Sequence, residues 1–174
     1  MKKTSKIIVL ILILSVLTAS LVLLSACNTH SNGSSQDKLV VGLECAYIPF
    51  NFTQQTDKNG AVKISNADGY ANGYDVLIAK RIADALGKEL VIVKTEWDSL
   101  VPGVSAGTLD LVIAGMSPTA ERRESIDFSE AYYESNLVIV VRQDGNYVNA
   151  QNLDDFNGAK IVAQQGTFHD KVLQ

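Results

Sequence analysis

From residue 38 onward the sequence predicts an α/β fold, an open and mostly parallel sheet with helices on both faces. Three observations carry that prediction. Apolar runs and amphipathic stretches alternate in the order strand, helix, strand, helix, strand. The run Leu90-Val91-Ile92-Val93 is continuously apolar, as a parallel strand is when both its faces are covered. Gly87 and Gly107 stand where the two helical stretches should stop. Such connections give right-handed crossovers between neighbouring strands.

Residues 1–27 read as a signal peptide with a lipobox. Lys2, Lys3 and Lys6 make a positive start, Ile7 to Leu24 carries no charge, and Leu24-Ser25-Ala26-Cys27 closes the run with small residues ahead of a cysteine. The run is long enough to span a bilayer, since about 18 uncharged apolar residues suffice. The cysteine favours removal instead, because the pattern resembles the bacterial lipoprotein signal, in which Cys27 takes a diacylglycerol and becomes the mature N-terminus. Two acyl chains hold a protein stably where one binds reversibly. The mature protein is therefore expected on the outer face of the cytoplasmic membrane, extracellular and lipid-anchored. Residues 28–37 are polar and aperiodic, a flexible tether reaching on the order of 17 Å.

Lys38 to Leu43 predicts a buried strand that stops at a loop containing Pro49. Gln54 to Asn72 is polar, with turns at Asn59-Gly60 and Asp68-Gly69, and predicts a surface excursion with a small hairpin around Val62 and Ile64. Asp75 can cap a helix whose buried stripe is Ile78, Ala79, Ile82, Ala83 and Leu86. Glu89 to Thr95 is the second strand, Ser99 to Ala106 a short helix burying Leu100 and Val104, and Leu109 to Ala114 the third strand. Asn136 to Val141 and Ala159 to Ala163 predict two further strands, the latter leading through Gln164-Gln165-Gly166-Thr167 into a helix. Residues 38–142 thus form one lobe with its crossing strand. Residues 143–174 begin a second lobe and read as truncated, because the last helix has neither a cap nor a partner strand.

Composition narrows the function. The net charge is −4 and no basic cluster remains after the signal, which argues against nucleic acid. Beyond Cys27 the only cysteine is Cys45, so no intramolecular disulfide can form, and Cys45 reads as a small packed residue. Neither a metal nor a cofactor is expected.

Open α/β sheets bind ligands beyond the carboxyl ends of their strands, where strand order reverses. With the order 2-1-3 that point lies between strands one and three, at Glu44–Phe52 and Gly115–Arg122. In the second segment Gly115 permits close backbone approach, Ser117 and Thr119 offer hydroxyls, and Arg122 can grip a carboxylate through two parallel bonds. Those parts suit an α-carboxylate, whereas a capped helix with a solvated arginine is the plainer alternative. Arg123 is the surface residue of the pair. Tyr47 and Trp97 follow neighbouring strand ends and could sandwich a ligand group, with Glu44 meeting a cation beyond them. Alternatively, these rings pack against helices, which is the preferred reading for Phe50 and Phe52.

Over Lys38 to His169 the chain resembles the family-3 periplasmic solute-binding proteins, the polar amino-acid receptors of ABC importers. The landmarks are Tyr47-Ile48-Pro49-Phe50, Gly73-Tyr74-Asp75-Val76, Trp97-Asp98-Ser99-Leu100-Val101-Pro102, Gly107-Thr108-Leu109-Asp110, Ala114 to Thr119, Arg122, Asp127-Phe128-Ser129 and Gln165-Gly166-Thr167. The resemblance implies a two-lobed periplasmic-binding-protein-like fold that closes on its ligand. It implies that Arg122 binds the ligand α-carboxylate with the Ser117 and Thr167 backbone. The Gly115 carbonyl and Ser117 hydroxyl would meet the α-ammonium, and Tyr47 and Trp97 would flank the side chain. Met116, inside the motif, and Gln164, ahead of Gly166-Thr167, complete the candidate set. Asp110, Asp127 and Phe128 also match, and are assigned to capping and packing.

Two departures stand out. Leu77 replaces an acid common in the first helical turn, and the family's second-lobe carboxylate for the α-ammonium would lie beyond Gln174. The implied function is capture of an amino acid and delivery to ABC permease subunits. A cationic ligand is favoured, arginine over lysine, with glutamine or another polar amino acid next. Alternatives are a cyclohexadienyl-dehydratase-like enzyme, for which no acid–base pair is evident, and a ligand-sensing domain.

Overall fold

The computed structural model describes residues 37–173, which lie within one unit of the chain, Gln36–Gln174. Cys27, the apolar run before it and the tether up to residue 36 lie outside the described residues. In chain order the elements begin with β1 (Lys38–Leu43), β2 (Ala46–Tyr47), β3 (Asn51–Gln54), β4 (Val62–Lys63) and β5 (Tyr70–Asn72). There follow α1 (Tyr74–Leu86), β6 (Glu89–Lys94), α2 (Trp97–Ser105), β7 (Leu111–Val112), and the short helices α3 (Ala120–Arg123) and α4 (Phe168–Val172).

β1 is the central strand of a parallel sheet ordered β6-β1-β7, the 2-1-3 arrangement on which the placement of the site depends. Side chains alternate across a strand, and here the alternation sorts the core into two halves. Leu39, Val41, Leu43, Ile92 and Ile113 face one side with Val76, Ala79 and Ala83 of α1. Val40, Val93, Val112 and Ala114 face the other with Leu100 and Val104 of α2. Gly42 leaves on that second side the space that Leu109 fills, since a Cβ there would stand 2.5 Å from Leu109 Cδ1.

The excursion between β3 and α1 is more ordered than its polarity predicts. β2, β3, β5 and β4 form an antiparallel sheet, and the expected hairpin is the β4–β5 pair. Ile64 is buried and bridges to Ile92, Ser65 N–H donates to the Ile92 carbonyl at 2.9 Å, and the Asn66 side chain pairs with both backbone groups of Lys94. An exposed strand edge invites pairing with other chains; these contacts cover the outer edge of β6.

Several expectations need correction. Asp75 is not the cap of α1. The helix starts one residue before it, after Gly73, whose φ of 121° is costly for any other residue and where a Cβ would strike the Phe50 carbonyl at 2.3 Å. Asp75 is instead fully buried in the first turn, and Val76 rather than the exposed Leu86 completes the buried stripe. α2 begins at Trp97, two residues earlier than expected, and only Leu111 and Val112 of the third run are paired. Asn136–Val141 and Ala159–Ala163 are not strands, and Val138, Val140 and Val162 are 77%, 89% and 93% exposed. Strand backbone groups need a neighbour's N–H and C=O, and no described strand offers these two runs a ladder.

Candidate functional site

A cleft opens at the carboxyl ends of the parallel strands. Glu44 reaches it from the end of β1, Tyr47 from β2, Trp97 from the start of α2, Gly115 and Ser117 from beyond β7, Arg122 from α3, and Gln164 and Thr167 from the approach to α4. Eight of the nine ligand-binding candidates therefore line one cavity. Met116 does not; it lines an adjoining cavity with Val101, Glu121 and Ser125 that shares Trp97 and Arg122 with the cleft. Ala114, Phe168 and His169 line the main cleft and were not among the candidates. Ala114 opens a motif already singled out, and His169 follows Thr167 by two residues, so position was the available signal for both.

Arg122 is the best-defined part of the cleft. Its Nη1 donates to the Ser117 carbonyl at 2.8 Å and its Nη2 to the Gly166 carbonyl at 3.0 Å. The guanidinium carbon lies 5.2 Å from the centre of the Trp97 ring, a cation–π distance. A guanidinium has five N–H donors and these carbonyls take two. Partial burial pulls its pKa down from the ordinary arginine value, yet among the described residues no carboxylate lies within ion-pair distance. Arginine stays charged regardless. The result is a half-buried cation, held by carbonyls and an aromatic face, with no anion among the described residues to pair with it.

Gly166 is the junction that holds this geometry. Its carbonyl also accepts from Trp97 Nε1 at 3.1 Å, its N–H donates to Asp170 Oδ2 at 3.1 Å, and its φ is 71°. Nearby, Gln164 Nε2 donates to Glu44 Oε1 at 2.8 Å, and among the described residues the second carboxylate oxygen has no hydrogen-bond partner. Thr167 is buried, its hydroxyl accepts from Asp170 N–H to cap α4, and its own N–H turns to the Gln164 carbonyl. That N–H is thus already engaged within the turn. α3 is a single turn capped by Thr119, too short for its dipole to add much attraction for an anion. Arg123 points away and lies over the Phe128 ring at 5.4 Å. Phe50 meets Tyr74 of α1 edge-on but also stacks on Tyr47 at 5.0 Å, so it backs the cleft wall rather than only a helix.

Asp110, as expected, serves the fold: its Oδ2 accepts from Val40 N–H at 2.8 Å. Among the described residues, no group of three His, Cys, Asp or Glu side chains could hold a metal ion, and no helix is long and apolar enough to cross a membrane.

Residues 39–167 match the family model of the bacterial extracellular solute-binding proteins, family 3. The chain belongs to that family. Within the family it is 31% identical over 150 residues to the arginine-binding extracellular protein ArtP of Bacillus subtilis, covering 85% of this chain and 52% of that protein. It is 35% identical over 151 residues to a probable histidine-binding protein of Campylobacter jejuni, covering 84% of this chain and 53% of the relative. The solved arginine-bound form of truncated ArgBP from T. maritima superposes with a TM-score of 0.66 at 35% identity, over 79% of this chain and 58% of that one. The fold is that of the two-lobed periplasmic binding proteins, and the α/β unit described above is part of it. The chain spans about half the length of the curated relatives it matches. Those relatives carry the names of binding proteins.

Proposed function

We propose that this solute-binding chain serves an ABC importer by capturing an amino acid in the cleft between the ends of β1 and β7 and presenting it to the permease. The observation that carries the reading is Arg122, a half-buried cation with spare donors and, among the described residues, no anion within ion-pair distance. A buried charge is costly unless paired, and a ligand carboxylate would supply the missing charge. In this reading Arg122 takes the α-carboxylate, Gly115 and Ser117 meet the α-ammonium, and Tyr47 and Trp97 flank the side chain. Thr167 and Gln164 shape the wall opposite. Met116 is left to the adjoining cavity.

The ligand we favour is cationic, arginine ahead of lysine. Glu44 lines the same cleft as two aromatic rings, and among the described residues only one of its oxygens is hydrogen-bonded. A guanidinium can pair with a carboxylate and stack on aromatic faces together, which an ammonium does less well. The relatives that bear arginine in their names agree with this. Binding and release need no chemical step, so the chain acts as a receptor. His169 and Glu44 do line one cleft, which makes the enzymatic alternative testable by asking whether a bound amino acid is recovered unchanged. Anchoring through a lipid on Cys27 at the outer membrane face completes the proposal and is supported by the lipobox in the sequence.

The test is calorimetry of the full-length protein against the twenty amino acids, for wild type and Glu44→Gln. Arginine should bind tightest, and the substitution should lower the ratio of arginine to glutamine affinity. An unchanged ratio would remove Glu44 as the selectivity residue, and no binding by any amino acid would remove the receptor reading.

A further inference from the structure

Four hydrogen bonds run without a break through the fold behind the cleft. Cys45 N–H donates to Asn51 Oδ1 at 2.9 Å, and Asn51 Nδ2 donates to Asp75 Oδ2 at 2.7 Å. From the other side, Gly115 N–H donates to the Tyr132 hydroxyl oxygen at 2.9 Å, and that hydroxyl donates to Asp75 Oδ1 at 3.0 Å. Cys45 stands between the cleft residues Glu44 and Tyr47, and Gly115 lines the cleft itself. Both ends of the run are thus backbone of the two segments that form the site.

The polarity of the run is forced. A backbone N–H can only donate, so Cys45 fixes which end of the Asn51 amide faces it and turns the NH2 toward Asp75. Gly115 likewise occupies the Tyr132 oxygen as an acceptor, which sends the single hydroxyl proton to Asp75. Two donors therefore converge on residue 75, and an ionised carboxylate is the side chain that accepts on both oxygens and donates on neither. Asn51 and Asp75 are fully buried and Cys45 nearly so. Burial pushes the Asp75 carboxyl above its ordinary value, and the bonds from Asn51 and Tyr132 pull it back. Its place in the first turn of α1 adds the favourable end of a helix dipole.

We propose that Asp75, Asn51 and Tyr132 are positioning residues of the ligand cleft, a brace with a buried Asn51–Asp75 pair and an exposed Tyr132 that fixes the Glu44–Tyr47 and Ala114–Ser117 segments relative to one another. The proposal rests on the amino-acid-receptor reading of that cleft. None of the three side chains is among the residues that line it, so each acts through backbone that does. The brace also explains why an aspartate stands where the sequence pattern suggested only a helix cap.

The test uses 15N-labelled full-length protein, with Tyr132→Phe, which removes only the hydroxyl, Asp75→Asn, which puts an amide between two donors, and Tyr133→Phe as the neighbouring control. In Tyr132→Phe the Gly115 amide should exchange with solvent roughly tenfold faster, the loss of about one hydrogen bond, while the Val41 amide in β1 stays as protected as in wild type. Affinity for whichever of the twenty amino acids binds wild type tightest should fall roughly 2- to 30-fold. Asp75→Asn should reproduce both effects if it folds, and Tyr133→Phe should show neither. Unchanged Gly115 exchange in Tyr132→Phe would overturn the brace. Faster exchange with unchanged affinity would overturn its positioning role while leaving the receptor reading intact. Equal loss of protection at Gly115 and Val41 would show general destabilisation and overturn the proposal as well. Absence of binding by wild type would defeat the receptor reading first and this inference with it.

Discussion

Replacing Arg122 with alanine separates a ligand-binding arginine from a structural one. The side chain donates to the Ser117 and Gly166 carbonyls and covers the Trp97 ring, so its loss touches both the fold and the ligand. On the fold side, the carbonyls become accessible to water as the cleft opens, and the cation–π contact is worth about 0.5–2 kcal/mol. On the ligand side, a carboxylate that loses its charged partner in a desolvated site costs about 2–5 kcal/mol, or roughly 30- to 5,000-fold in affinity. The ligand term should dominate. Arg123 is the internal control, because it lies one residue away, exposed, over Phe128. Calorimetry of the full-length variants should find Arg122→Ala weakened within that range and Arg123→Ala close to wild type, with thermal unfolding midpoints differing little between them. Equal losses of affinity at the two positions would refute the assignment of the motif. So would an Arg122→Ala protein that unfolds but binds normally wherever it is folded.

Two other predictions rest on the structure and one on the sequence. Gly166→Ala would place a Cβ 2.6 Å from Asp98 Oδ1 at a φ of 71°, so it should weaken binding without touching the ligand directly; calorimetry with the tightest-binding amino acid checks this, and wild-type affinity would contradict it. Burial pushes the Cys45 thiol up to about 11. Because the folded state favours the neutral thiol, Cys45 should resist alkylation at neutral pH, and its stabilising share should be lost only as pH rises from the ordinary thiol range through about 11; rapid labelling of native protein at pH 7 would contradict this. Cys27→Ala should abolish fatty-acid incorporation in metabolic labelling, and label at the wild-type level would remove the lipobox reading.

The central sheet was legible because its signals are local and redundant. Leu39, Val41 and Leu43 alternate with Val40 and Gly42 in a pattern that two layers of helix must cover, and the 2-1-3 order then puts the cleft at Glu44 and Gly115. The place of Arg122 in the cleft was legible because it closes the motif that follows the third strand, and the family landmarks mark the same segment. Asp75 was misread for a physical reason: an acid at a helix start looks the same in sequence whether it caps the helix or receives donors from Asn51 and Tyr132, which are 24 and 57 residues away. The β4–β5 hairpin around Val62 and Ile64 was legible, but its sheet with β2 and β3 and the Ile64 bridge to Ile92 were not, because one buried isoleucine is too short a pattern to place against a distant strand. The runs at 136–141 and 159–163 show the converse. Apolar, β-branched residues announce strand propensity, but a ladder needs a neighbour, and the described residues supply none.

A crystal structure of the full-length protein with its tightest-binding amino acid tests amino-acid capture most directly. Capture at Arg122 predicts a ligand in the cleft at the ends of β1 and β7, with its α-carboxylate hydrogen-bonded to the guanidinium N–H groups that Ser117 and Gly166 leave free. A ligand bound elsewhere, or seated in this cleft with its carboxylate turned away from Arg122, would contradict it.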